Sequence, residues 1–457
     1  MRVLHEWPVS DQDVEVPRTV ASLSSVKARI AAGASWTIMG YGAQQVIRLG
    51  SNLVLTRLLV PEAFGLMTLA TIFIAGLEML SDVGVGTSII QSKSGDDPRF
   101  LDTAWTIQII RGFVLLFAGL IVAWPAARFY SEPRLLPLMA ANCVGIAIRG
   151  FTPTRIHSLN RKVLLGRLTL LEFTCQVLTT GITVCAAWAM RSVWSLVIGY
   201  VAGDIARVTL SYLMLPGHRH RLHLNREAAR EIARVGQWIL LSSAVTFAAG
   251  NLDRLAMGRM LSVRELGIYG IAANLVGSLV TVGRVVGSRV FFPILAETIR
   301  DAPEKLYSRL RKARVLWAVP TCAGLCVFAV FGDWIVHVLY PHAFQDAGWM
   351  LRILAAGSIM AVLNQTTGVV WPSLGEFRTI TILMVVQVAT MLAAMLIGNR
   401  LYGTVGFVVG YASVELLVYP VQAALIARRK LWQPEVDLPV LAASAIVIAL
   451  GAILRWR

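Results

Sequence analysis

Charge is scarce in this chain. Only 15% of its 457 residues are charged against 56% hydrophobic, and mean hydropathy is +0.66. A water-soluble domain carries about a quarter charged residues, so this shortage excludes an ordinary soluble fold. Acids are scarcer than bases, 26 against 42, which gives a formal charge of +16. The bases lie mostly in short loops between apolar runs, where a membrane protein keeps them, and this excludes a nucleic-acid partner. Cysteine is also sparse. Cys143, Cys175, Cys185, Cys322 and Cys326 all fall inside apolar runs, with no zinc-type spacing, and read as small packing residues. No G-x-x-x-x-G-K-S/T run occurs, so this chain does not hydrolyse ATP. The outer loops are too short to fold into a catalytic domain, and no Ser-His-Asp or metal-ligand cluster emerges. The chain is therefore expected not to be an enzyme. His218, His220 and His223 sit in a basic stretch and read as a solvated loop. The first 20 residues hold Glu6, Asp11, Asp13, Glu15 and Pro17 without an apolar core, which excludes a signal peptide and predicts a cytosolic tail.

What is abundant is long hydrophobic runs. Apolar segments lie near 34–57, 64–90, 104–127, 134–156, 168–188, 192–215, 235–256, 266–293, 315–337, 346–370, 378–398, 403–427 and 438–454. Each suffices to cross roughly 30 Å of hydrocarbon as a helix. None alternates as a barrel strand would. The expectation is an all-α polytopic membrane protein. Placing the N-terminus in the cytoplasm leaves 24 of the 42 Lys and Arg on the cytoplasmic side and 8 outside. That is the positive-inside pattern. Trp124, Trp188, Trp194, Trp334 and Trp371 stand near segment ends as interfacial anchors.

The chain also repeats itself. VLTRLLVPEAFGLMTLA (54–70) joins two apolar segments through Pro61, Glu62 and Gly65, a helical hairpin with a helix-breaking turn. AMGRMLSVRELGIYGIA (256–272) lies 202 positions on. There Arg57 falls on Arg259, Leu59 on Leu261, Gly65 on Gly267 and Ala70 on Ala272. The predicted organisation is a tail (1–33), a six-helix bundle (34–215), a basic cytosolic linker (216–234), a second six-helix bundle (235–427), and a loop with an extra thirteenth helix (428–457). Six spans is an even number, so both bundles enter from the same side and are related by a parallel pseudo-two-fold.

These residues carry a resemblance. R-L-L-V-P-E-A-F-G, SDVGVGTSIIQ (81–91), LDTAWTIQIIRGF (101–113), SVWSLVIGYVAGDIARVTLSYL (192–213) and the run from Asp253 to Tyr269 resemble the lipid-linked oligosaccharide flippases, exporters of polysaccharide repeat units. Their larger group includes toxic-compound exporters and the lipid II flippase. The resemblance implies a bacterial inner-membrane transporter moving undecaprenyl-diphosphate-linked oligosaccharide between leaflets. It implies membrane lipids as surroundings, and a polysaccharide polymerase with chain-length machinery as partners. Larger relatives end with 14 spans, so a thirteenth and last helix is a departure.

Ten arginines fall within the apolar segments, apart from Arg134 and Arg378 at segment edges. Each costs at least ~2.5–3.5 kcal/mol at the bilayer centre, so most must face water, pair with an acid or reach the interface. Arg48 lies past the middle of the first segment, with Gln44 and Gln45 one turn before it. Arg254 lies toward the outer end of the seventh, and Arg284 and Arg289 in the cytoplasmic half of the eighth. In the resembled family, spans one, two, seven and eight line the central cavity. Gln44, Arg48, Arg254, Arg284 and Arg289 are therefore the candidates to bind an anionic headgroup. Guanidinium suits diphosphate because its planar fork donates paired hydrogen bonds. Arg207, three residues after Asp204, is as readily an intrahelical ion pair as a site residue. Glu78 and Asp82 would share one helix face at i, i+4, and Glu415 stands alone in the twelfth segment. Asp82 and Glu415 are the candidates for ion coupling, with proton and sodium both open, and no other cofactor is expected. The alternative is an ion-coupled drug antiporter of the same fold, whose cationic cargo would call for acids and aromatics rather than arginines.

Overall fold

The computed structural model describes residues 23–455 apart from 83, 93, 162–164, 216–219, 287–290, 302 and 369. Sixteen α-helices follow in order among the described residues: α1 (Leu23–Leu58), α2 (Pro61–Met79), α3 (Val85–Gln91), α4 (Pro98–Phe129), α5 (Leu135–Gly150), α6 (Arg155–Arg161), α7 (Leu165–Met190), α8 (Trp194–Met214), α9 (Arg226–Met260), α10 (Val263–Val286), α11 (Phe292–Asp301), α12 (Leu306–Leu339), α13 (Ala347–Gly368), α14 (Val370–Ser373), α15 (Phe377–Arg428) and α16 (Pro434–Arg455). No strand occurs among these residues. Eight helices are each long and apolar enough to cross a membrane, or up to nine with the pair α5 and α6, bent by 60°. α15 holds two of the apolar segments. It bends at Tyr402 and Gly403, where Gly403 takes φ +57°, a value that side chains disfavour.

Local signals explain the ends. Pro61 and Pro98 open α2 and α4, where a missing N–H costs nothing. Asp97 accepts from Arg99 N at 2.9 Å, and Asn225 from Glu227 N and Ala228 N, so both act as N-caps. The segment read as one span over 64–90 is instead broken. α2 stops at Met79, Gly84 takes φ +67°, and α3 begins at Val85. Asp82 lies in that break and accepts from Gly84 N at 2.9 Å, so it shares no helix face with Glu78.

Packing follows small residues, as it must where lipid removes the hydrophobic drive between helices. α4 meets α5 at Gly112 and Gly150, and α13 meets α15 at Gly357 and Ala412. α2 crosses α10 where Gly65 and Gly267 touch backbone to backbone, and a Cβ on either would overlap the other helix. Beside them Arg264 bonds Glu62 at 3.0 Å. Two positions 202 apart thus meet each other twice.

Three readings of peripheral residues change. Residues 221–225 run along α4 rather than free in solvent: Arg221 N, His223 N and Asn225 N donate to Asp102, Thr106 and Thr103. His220, its side chain buried, stacks on Trp105 at 5.5 Å. Arg314, one residue before the apolar segment at 315–337, is fully buried. It donates to Thr366 and Asp437, which tie α12 to α13 and α16. Trp371 is buried rather than interfacial, whereas Trp124, Trp188, Trp194 and Trp334 are exposed.

Candidate functional site

The central feature is a cavity of about 450 Å³ between α1, α9 and α10. α1 contributes Gln45, Arg48, Leu49 and Asn52, α9 contributes Arg254, and α10 contributes Asn274, Gly277, Ser278, Thr281 and Arg284. Three of the five residues expected to bind an anion are therefore brought together. Gln45 Nε2 donates to Ser278 Oγ at 2.6 Å across the two helices, and its Oε1 accepts from Arg48 at 3.2 Å. Arg284 donates to Thr281 Oγ1 at 3.1 Å. Among the described residues none of the three arginines makes a salt bridge, and no carboxylate lines the cavity. Asp253, the chain neighbour of Arg254, instead accepts from Tyr269 Oη at 3.1 Å.

Two expectations do not fall there. Gln44 is half-buried but absent from the lining, where Gln45, one residue on, takes its place. One residue turns a helix by about 100°, so only the position of Ser278 decides which glutamine faces inward. Arg289 lies outside the described residues.

A second cavity, of about 300 Å³, adjoins the first and shares Arg254, Ala273 and Gly277 with it. Glu415 lines it and accepts from Asn364 Nδ2 at 2.7 Å and Gln387 Nε2 at 2.6 Å. Both donors are neutral. Asp253, Tyr269, Ser358, Gln365 and Tyr411 also line it.

Asp82 lines a third cavity, of about 450 Å³, enclosed by α2 to α6 and α8. Here charge is balanced among Glu78, Asp82, Asp204, Arg111, Arg149 and Arg207, with His157 beside them. Arg149 bridges Glu78 at 2.9 Å and Asp204 at 3.3 Å, and donates to Tyr200 Oη at 2.6 Å. Asp204 therefore pairs across helices rather than with Arg207. Arg111 donates to Glu78 O at 2.5 Å and Ser81 Oγ at 3.1 Å. The sequence reading did not single out Arg149 or Asp204 as a site. Their signal was present, an arginine and an acid each inside an apolar segment, but their pairing spans 55 residues.

Chemically the central cavity offers guanidinium, amide and hydroxyl donors and no negative charge, which fits a polar anion. A family described as polysaccharide biosynthesis protein matches residues 54–348. The chain is similar to the lipopolysaccharide biosynthesis protein WzxC of Escherichia coli, 22% identical over 400 residues, covering 86% of this chain and 80% of the relative. Its fold resembles that of the lipid II flippase MurJ in an inward closed conformation, with a TM-score of 0.72 at 10% identity, covering 90% of this chain and 91% of the other. It also resembles an inward-facing multidrug transporter of the MATE family, with a TM-score of 0.66 at 14% identity, covering 90% and 95%. This multi-pass helical chain, with its fold shared by transporters and its family match over most of its length, belongs to the polysaccharide biosynthesis protein family.

Proposed function

We propose that the protein flips undecaprenyl-diphosphate-linked oligosaccharide repeat units across the bacterial inner membrane, for exopolysaccharide or lipopolysaccharide synthesis. It acts as a transporter and not as an enzyme. One observation carries the reading: Arg48, Arg254 and Arg284 line one cavity without an acid among its lining residues. A diphosphate takes paired hydrogen bonds from such groups, while its lipid chain stays in the bilayer. The name of WzxC, from a lipopolysaccharide pathway, and that of the lipid II flippase support a lipid-linked glycan as cargo.

In this reading the N-terminus is cytoplasmic, and residues 34–215 and 235–427 are two bundles related by a parallel pseudo-two-fold, with α16 as the extra helix. Contact between the equivalent pairs Gly65–Gly267 and Glu62–Arg264 supports an axis passing between α2 and α10. Rocking of the two bundles against each other re-exposes the central cavity on the outer side. Asp82 and Glu415 are the proposed coupling residues, for a proton or for sodium. Released repeat units would pass to a polymerase and its chain-length machinery.

A second reading, an ion-coupled antiporter of cationic drugs, draws on the acids and tyrosines around Glu415. Proteoliposomes separate the two. Wild type should move lipid-linked oligosaccharide to the opposite leaflet and leave a cationic dye gradient unchanged. Dye efflux without oligosaccharide movement would reverse the choice.

A further inference from the structure

An apolar groove of about 640 Å³ lies apart from all three polar cavities and shares no lining residue with them. It opens where the C-terminal ends of α4 and α9 meet over α2, on the side of the molecule carrying the α1–α2 and α9–α10 turns. Phe73, Pro125, Phe129, Tyr130, Leu255 and Leu396 form its walls. Gly258 lets α9 approach closely here, since a Cβ would overlap Leu69 and the Tyr130 ring. The one hydroxyl in the wall is already used, with Tyr130 Oη donating to Leu255 O at 3.2 Å. The groove interior therefore suits hydrocarbon alone.

Its rim is different. Arg259 is exposed, and its guanidinium lies over the Phe129 ring, 5.8 Å from the centroid. Arg128, also exposed, lies over Trp124 at 5.6 Å on the same end of α4. Neither makes a salt bridge among the described residues. An exposed arginine over an aromatic ring at the mouth of an apolar slot is placed to meet a phosphate whose chain fills the slot.

We infer that this groove binds a polyprenyl phosphate lipid, with its chain along Phe73, Phe129 and Leu255 and its phosphate on Arg259. The exposed guanidinium at the rim complements the phosphate, and the otherwise apolar lining complements the chain. The groove lies on the seam where α4 and α2 contact α9, so its occupant touches elements of both proposed halves. The inference rests on the reading of the protein as a carrier of lipid-linked cargo, and places a second lipid contact at the product side.

The test uses the full chain in nanodiscs with a diazirine-bearing undecaprenyl phosphate, and maps photocrosslinks by peptide. Crosslinks are expected within residues 122–130 and 252–260. Ala256→Trp, which fills the slot, and Arg259→Gln, which is exposed and spares the fold, should each lower their yield about tenfold. Leu316→Trp, on an exposed face of α12, should leave it unchanged. Unchanged yield in Arg259→Gln would overturn the inference, as would displacement of the probe by an equal concentration of phosphatidylglycerol. Crosslinking that persists in a protein unable to flip lipid-linked oligosaccharide would sink the proposed function and leave this site standing.

Discussion

Among the described residues Arg48, Arg254 and Arg284 make no salt bridge, while several acids are engaged elsewhere. Glu78 and Asp204 are engaged by Arg149, Asp437 by Arg314, and Glu415 by two amides. Under the proposed function these cations are kept for a ligand, which offsets the cost of charge within a membrane. Replacing Arg48 or Arg254 by Ala removes charge-assisted hydrogen bonds worth about 1.5–3 kcal/mol, so roughly a ten- to hundredfold loss of affinity is expected. Titration of the lipid-linked oligosaccharide against purified variants checks this. Lys at either position should recover only part, since a point charge lacks the fork. Gln45→Ala should lower transport more than Gln44→Ala, because Gln45 bonds Ser278 and holds Arg48. Equal effects in a vesicle assay would count against that geometry.

At the scale of helices, α16 is fastened by one buried cluster. Arg314 is 1% exposed and reaches Asp437, which also accepts from Tyr419 Oη at 2.8 Å. Breaking a buried ion pair from one side costs about 3–5 kcal/mol, because the other charge is left behind. Asp437→Ala should therefore lower the unfolding temperature clearly, while Glu435→Ala, at the exposed Tyr307, should change it little. Thermal unfolding followed by intrinsic fluorescence distinguishes them. The two cases also explain what sequence could reveal. Pro61 acts on its own backbone, so the hairpin was legible, whereas the start of α9 at Arg226 was not, because its first turns are polar and basic and read as linker. The burial of Arg314 depends on Asp437, 123 residues later, and nothing local signals it. The break at Gly84 was half legible: the glycines permit a turn, but only packing decides that α2 ends at Met79.

For the whole molecule, the 202-residue offset was legible in the sequence, as were the three arginines as polar interruptions of greasy helices. The charge-balanced cavity around Arg149 was not, because it gathers residues from six helices. If two halves rock against each other, the α2–α10 contact must open and close. Introducing Glu62→Cys with Arg264→Cys in a cysteine-free background, then joining them with a short thiol crosslinker, should stop transport. Cleaving the crosslink should restore it. Transport unaffected by complete crosslinking would rule out movement there.

The central claim is that the arginine-lined cavity between α1, α9 and α10 receives a diphosphate. Its most direct test is an electron cryomicroscopy structure of the full chain in nanodiscs with undecaprenyl diphosphate. The account predicts diphosphate density within hydrogen-bond distance of Arg48, Arg254 and Arg284. Density bound elsewhere, with these side chains turned toward lipid, would contradict it.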